Sequence, residues 1–318
     1  MDFDVAKNTC NCGYLALTGF DRSFGIKPGL QEQLWAAMNS SGMNPVTANL
    51  PGITQLTPQT VPLRRLSVHD GVVYQSAIAL KLAPLLHLDA LDIAHQLIVV
   101  LPTLAHNSTE SFSLDFGVEV LPPGWINFRL SDRSLATWLQ QLIRIPPLRT
   151  GGVGGEKAIS LNATPDRNFF PLQYVHARCC SLLHLAHRQG LIQLHTIGDR
   201  AQRNIVEPDP IPWLDDSPKA GSEQLYLRLV HPAELSLITQ MLDLLDATSK
   251  GDRDSWLKRG IALSQAFEQF YSSCRIWGEV KTQNPQLAQA RLGLVALTQL
   301  LLRSLLEDQL GIPAPAEL

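Results

Sequence analysis

Apolar residues recur along the second half of the chain at the spacing of one helical face. Trp256, Gly260, Leu263, Phe267, Phe270, Cys274 and Trp277 step by four and three, which predicts a helix with a buried stripe. Leu287, Ala290, Leu294, Leu297, Leu301 and Leu305 predict a second. Leu235, Ile238, Leu242 and Leu245 predict a third, with Pro232 in its first turn, where a missing N–H costs nothing. Helices of this kind make a bundle.

The first half is mixed. Leu30 to Ser41 predicts a helix after Pro28-Gly29. Tyr74 to Ala83 and Leu91 to Leu101 predict two short helices, the first stopped by Pro84, the second entered through Asp89 or Asp92. Leu114 to Leu121 alternates, with Leu114, Phe116, Val118 and Val120 on one side, and predicts a strand. Trp125 to Leu130 predicts another after the Pro122-Pro123-Gly124 turn, and a helix from Ser131 or Asp132 to Ile143 follows. The fold class is therefore an α+β domain followed by an all-α helical bundle. The seam is Pro146-Pro147 through Gly154-Gly155, where prolines deny helix donors and glycines loosen the chain. The expected division is an extension over 1–29, an α+β domain over 30–145, a linker over 146–163 and a helical domain over 164–318. Val206 to Ser217, holding three prolines, reads as a loop.

Composition narrows the class. The chain has 318 residues, 45% hydrophobic and 17% charged, as in globular rather than disordered proteins. Leu292 to Leu306 contains Arg303 and falls short of a membrane span. The acidic start Met1-Asp2-Phe3-Asp4 lacks a signal-peptide pattern, and five cysteines, with Cys179 and Cys180 adjacent, do not form a disulfide framework. The expected setting is the cytoplasm. Neither half is basic: from Asp166 onward 15 Lys/Arg stand against 17 Asp/Glu. Charge alone does not advertise a nucleic-acid binder.

Three stretches of the second half resemble the DALR anticodon-binding domain of arginyl-tRNA synthetases. They are Leu172-Gln173-Tyr174-Val175-His176-Ala177-Arg178, the segment Phe267 to Ile276 (Phe-x-x-Phe-Tyr-x-x-Cys-Arg-Ile), and Ala290-Arg291-Leu292-Gly293-Leu294 with the later Leu310-Gly311-Ile312-Pro313-Ala314-Pro315. The first half resembles the same enzymes' N-terminal domain at Pro123-Gly124-Trp125-Ile126-Asn127 and at Tyr74-Gln75-Ser76-Ala77. In that family this domain touches the tRNA corner that carries the D-loop. Ala77 stands where the family's reading helix usually has Asn, and Pro315-Ala316-Glu317-Leu318 lacks the usual arginine. About twenty residues separate the two parts where the family holds its aminoacylation domain, too few for a nucleotide-binding domain. No His-x-Gly-His and no Lys-Met-Ser-Lys motif occurs. Aminoacylation by this chain alone is therefore not expected.

The resemblance makes Tyr174, His176, Arg178, Tyr271, Arg275, Tyr74 and Gln75 candidate RNA-binding residues. Arg178 would pair with phosphate, and Tyr174 or His176 would stack or hydrogen-bond near a base. The competing reading is that Gln173, Tyr174 and Arg178 tie their helix to its neighbours. Phe270 belongs to the apolar stripe, while Tyr271 and Arg275, four apart, would share a face off it. His176, Cys180, His184 and His187 fall at helical spacings, but one helix cannot wrap four ligands around an ion, and Cys10-Asn11-Cys12 has no partner pair. Gly151 to Lys157 fails as a phosphate loop, because Glu156 and Ala158 replace the required glycine and hydroxyl. No metal, cofactor, membrane or catalytic residue is expected.

The implied function is a non-catalytic protein that binds tRNA or other structured RNA. The alternative is a protein-interaction or assembly factor, with Trp213, Tyr226 or Trp125 as exposed anchors. A third possibility is that a separate chain supplies the catalytic domain.

Overall fold

A computed structural model describes residues 25–43, 57–68, 71–105, 116–144, 169–196, 203–215, 225–247 and 252–318. The extension before residue 25, the Cys10-x-Cys12 pair and the Pro/Gly seam lie outside them.

The N-terminal part is a four-stranded antiparallel sheet with helices on one face. Helix α1 spans Ile26–Ser40, so it starts before Leu30 and takes Pro28 and Gly29 into its first turn; Ile26, Leu30, Leu34, Ala37 and Met38 are buried. Strands β1 (Leu63–Val68) and β2 (Gly71–Ser76) form a hairpin, and helices α2 (Ile78–Leu86) and α3 (Ala90–Ala105) follow. Strands β3 (Phe116–Leu121) and β4 (Trp125–Leu130) complete the sheet in the order β1-β2-β4-β3.

This corrects two expectations. Tyr74 to Ser76 is strand, because Val72 and Val73 before it favour extended backbone and Tyr74 pairs with Phe128 across the sheet. Pro84 lies inside α2 near its end, and the helix stops only at Leu86, with His87 left-handed. Val118 is 40% exposed on edge strand β3, so the apolar side of that strand is only partly covered. Of the two entry candidates for α3, Asp89 is the one that accepts a bond from Leu91 N, at 2.8 Å.

Helix α4 (Asp132–Ile143) starts as expected, with Ser131 accepting from the Ser134 amide. Helix α5 (Phe170–Arg188) opens the helical part. Two small ribbons then interrupt the bundle: β5 (Gln193–Thr196) with β6 (Arg203–Glu207), and β7 (Leu214–Asp215) with β8 (Tyr226–Leu227). The stretch from Val206 is thus strand at both ends of its proline run, not simply loop. Helices α6 (Pro232–Leu245), α7 (Arg253–Ser273), α8 (Glu279–Gln283) and α9 (Pro285–Ser304) follow, and α9 runs into a π-helical turn, Leu305–Gln309. The expected stripes on α6, α7 and α9 are buried, except that Leu235, Leu287 and Trp277 are partly covered and Trp277 lies beyond the end of α7.

The two parts share one continuous core and are tied by polar bonds. Tyr74, fully buried, gives its hydroxyl proton to Asp246 at 2.5 Å, and Lys27 N donates to the other oxygen of that carboxylate at 2.8 Å. Arg65 pairs with Asp243 and donates to Thr239 O. Gln140 of α4 accepts from Ile211 N and from the Trp213 indole at 2.9 Å. Among the described residues no single helix is long and apolar enough to cross a membrane.

Candidate nucleic-acid interface

Residues 170, 174 and 178 recur every four positions along α5 and so share one face of it. Phe170 and Tyr174 are exposed by 56% and 38%, with their rings stacked 6.1 Å apart. One turn on, Arg178 donates to the Tyr174 hydroxyl at 3.0 Å and lies over the Tyr271 ring, 4.5 Å from its centre. Tyr271 itself stacks on buried Phe267, which fixes its plane. Burial works against the Arg178 charge, but the Tyr174 and Tyr271 oxygens outweigh it and hold the guanidinium more firmly protonated than usual. A cation is thereby held beside an accessible aromatic surface. That arrangement suits a phosphate next to an unstacked base.

His176 does not belong to this surface. It is 2% exposed; its Nδ1 donates to Pro315 O at 2.8 Å and its Nε2 faces the Gln299 amide at 3.0 Å. Gln173 donates to Pro313 O at 3.0 Å. These two side chains tie α5 to the segment after the last helical turn. Burial lowers the His176 pKa, the Pro315 carbonyl partly opposes this, and the Arg303 charge reinforces it.

Arg275 and Tyr271 do not share a helical face, because α7 ends at Ser273 and Cys274 is already extended. Arg275 is exposed, and its carbonyl accepts from Arg291. Arg291 also pairs with Glu234, 2.6 Å away and 1% exposed, whose other oxygen accepts from His231 N. This buried group locks α9 to the start of α6 and to the end of α7.

Comparison with known proteins adds to this geometry. Residues 214–318 match the model of the DALR anticodon binding domain. Arginine–tRNA ligase of Synechococcus sp. is 27% identical over 157 residues, 49% of this chain and 23% of the enzyme. That of Moorella thermoacetica is 30% identical over 161 residues, again 49% and 23%. That of Heliobacterium modesticaldum is 32% identical over 150 residues, 46% and 22%. About half of this chain is thus similar to part of arginine–tRNA ligases, and its last third matches an anticodon-binding domain. No solved structure matches it. The chain matches less than a quarter of the length of these curated relatives.

The DALR match takes in Tyr271, Arg275 and Arg291, whereas Tyr174 and Arg178 on α5 lie before it. Tyr74 is buried at the joint and is not a surface group. Gln75 is on the open face of the sheet, accepting from Arg64 at 2.8 Å and donating to Asn127 at 3.0 Å. Arg64, Gln75, Asn127 and Glu119 are cross-strand neighbours in one row, and Arg64 lies over the Trp125 ring. Arg64 and the Asn127 partnership were not read from the sequence; an arginine opposite Gln75 is visible only once the hairpin register is known. Phe170 was missed too, although its place four residues before Tyr174 was the available signal. Trp213 is buried against Gly293 of α9, not exposed, so it is no anchor for a partner. Of the helical His/Cys series, His187 accepts from Leu194 N while His176 points to Pro315. Among the described residues no three His, Cys, Asp or Glu side chains converge as metal ligands do.

Proposed function

We propose that this protein binds tRNA or a similarly structured RNA without catalysing aminoacylation. The observation that carries the proposal is Arg178, set between the Tyr174 hydroxyl and the Tyr271 ring, at the edge of the exposed Phe170–Tyr174 stack. Aromatic faces accept single-stranded bases by stacking, and a fixed guanidinium anchors the adjoining phosphate. The row Arg64–Gln75–Asn127 offers a second polar surface on the sheet. Both surfaces come from stretches that resemble tRNA-contacting domains, and the His-x-Gly-His and Lys-Met-Ser-Lys motifs are missing from the sequence.

The test is a tRNA titration over a salt series, run beside an unrelated acidic protein and an arginine-charging assay. The expected result is saturable binding that weakens linearly in log–log form with salt, with no charging. Affinity no better than the acidic control, or charging of tRNA by the chain alone, defeats the proposal. Of the anchors named for a protein partner, Trp213 is core and Trp125 lies under Arg64, which leaves half-buried Tyr226.

A further inference from the structure

The four-stranded sheet ends on β1 at one side and on β3 at the other, and the two edges are built differently. Strand β1 follows Pro62, carries Arg64 and Arg65, and is tied to the helical part through the Arg65–Asp243 pair. Prolines, charges and a covering neighbour are what keep a sheet edge from pairing further. Strand β3 lacks them. No proline or lysine falls between Phe116 and Leu121, and its register with β4 runs without a bulge. The β3–β4 hairpin closes at Leu121, which pairs with Trp125 and whose carbonyl accepts from Gly124 N at 2.9 Å. Counting back by antiparallel alternation, Leu121, Glu119 and Gly117 exchange bonds with β4, so the N–H and C=O groups of Phe116, Val118 and Val120 point outward. Among the described residues no group bonds to them. Val118 is also 40% exposed, on the helix-covered face beside its buried cross-strand partner Phe128.

We propose that β3 pairs with β3 of a second copy of this chain, antiparallel about a two-fold axis at Val118, so that the two sheets become one. In that register every outward group finds a mate. Val118 exchanges both bonds with the partner's Val118, Phe116 with the partner's Val120, and Val120 with the partner's Phe116. The two Val118 side chains meet on the helix-covered face and shield each other from water. On the open face Glu119 falls opposite the partner's Gly117, beyond which stands the partner's Arg129. Gly117 has no side chain to intervene, so the carboxylate reaches toward that guanidinium. An axis one residue further on, at Glu119, would instead set two like charges directly against each other, which is destabilising; charge therefore selects Val118. The rows running from Arg64 through Gln75 and Asn127 to Glu119 then share one polar surface across both copies. An edge-to-edge contact of this kind is small, so the dimer forms only as concentration rises.

The test is sedimentation of the RNA-free chain over a concentration series rising to about 1 mM, with amide exchange of β3 followed by NMR at its dilute and concentrated ends. The mass is expected to rise toward twice that of one chain. The amides of Phe116, Val118 and Val120 then exchange only from the unpaired fraction, so a sample nine-tenths paired exchanges them about tenfold more slowly. Those of Gly117, Glu119 and Leu121, already bonded to β4, are equally protected at both ends. Val118→Lys sets two like charges at the axis, and Val118→Pro removes the donor there without taking a bond from β4; both keep the single-chain mass throughout. If neither variant folds, the wild-type exchange pattern decides alone. A chain that stays single at every concentration overturns the proposal. So does one that doubles without slowing those three amides, or a folded Val118→Lys that still doubles. None of these outcomes depends on whether RNA binds.

Discussion

Replacing Arg291 by Met removes the cation of the best-enclosed ion pair in the helical part. Glu234 keeps its burial, 1% exposed, and among the described residues retains only the His231 amide as a polar partner, while the Arg275 carbonyl loses the Arg291 donor. Breaking a buried pair from one side costs about 3–5 kcal/mol, because the remaining charge is neither solvated nor matched. The loss is expected in the urea midpoint followed by helical circular dichroism. Glu234→Gln, which preserves an acceptor but removes the charge, costs less. The double variant Arg291→Met/Glu234→Leu costs less than the sum of its singles, since no stranded charge survives. An Arg291→Met penalty below about 1 kcal/mol, or strictly additive singles, would refute the view that this pair holds α6, α7 and α9 in register.

Other expectations follow from the joint between the two parts. Tyr74→Phe removes the hydroxyl that serves the buried Asp246 carboxylate and costs about 1–3 kcal/mol, read as a lower melting temperature. Burial raises the Asp246 pKa above its ordinary value despite the bonds from Tyr74 and Lys27. A raised carboxylate pKa means the folded state holds its proton longer than the unfolded one, so stability from this group is lost as pH rises through the folded value. Asp246→Asn, which does not titrate, therefore gains on the wild type in melting temperature as pH rises above about 4, the unfolded carboxylate value. Gly293→Ala places a methyl 2.4 Å from the Trp213 ring; over-packing of about 1–3 kcal/mol outweighs the roughly 1 kcal/mol gain in helix propensity, and the indole fluorescence shifts.

What the sequence revealed followed the strength of its periodicity. Leu235, Ile238, Leu242 and Leu245 repeat over three turns, and only a helix accommodates that pattern. Tyr74 to Ala83 is apolar almost throughout, so periodicity did not mark the change from strand to helix at Ser76–Ile78. Strand β1 was missed because Arg64 and Arg65 hide its alternation, and Arg65 is half-buried only because Asp243, far along the chain, meets it. The same limit applied at the candidate interface. Tyr174, Arg178 and Tyr271 were three of seven candidates named by resemblance, and their contact depends on how α5 crosses α7. His176 and Tyr74 had the composition of binding residues and turned out to serve distant backbone and carboxylate partners.

The central claim is that RNA is held by the aromatic–guanidinium surface on α5 and α7. The most direct measurement is tRNA affinity at fixed salt for the wild type and for Tyr174→Ala, whose side chain is accessible enough that the fold survives its loss. Removing one stacking ring costs about 1–3 kcal/mol, so affinity should fall roughly 5- to 150-fold with the melting temperature nearly unchanged. Equal affinity in a folded Tyr174→Ala would contradict the account.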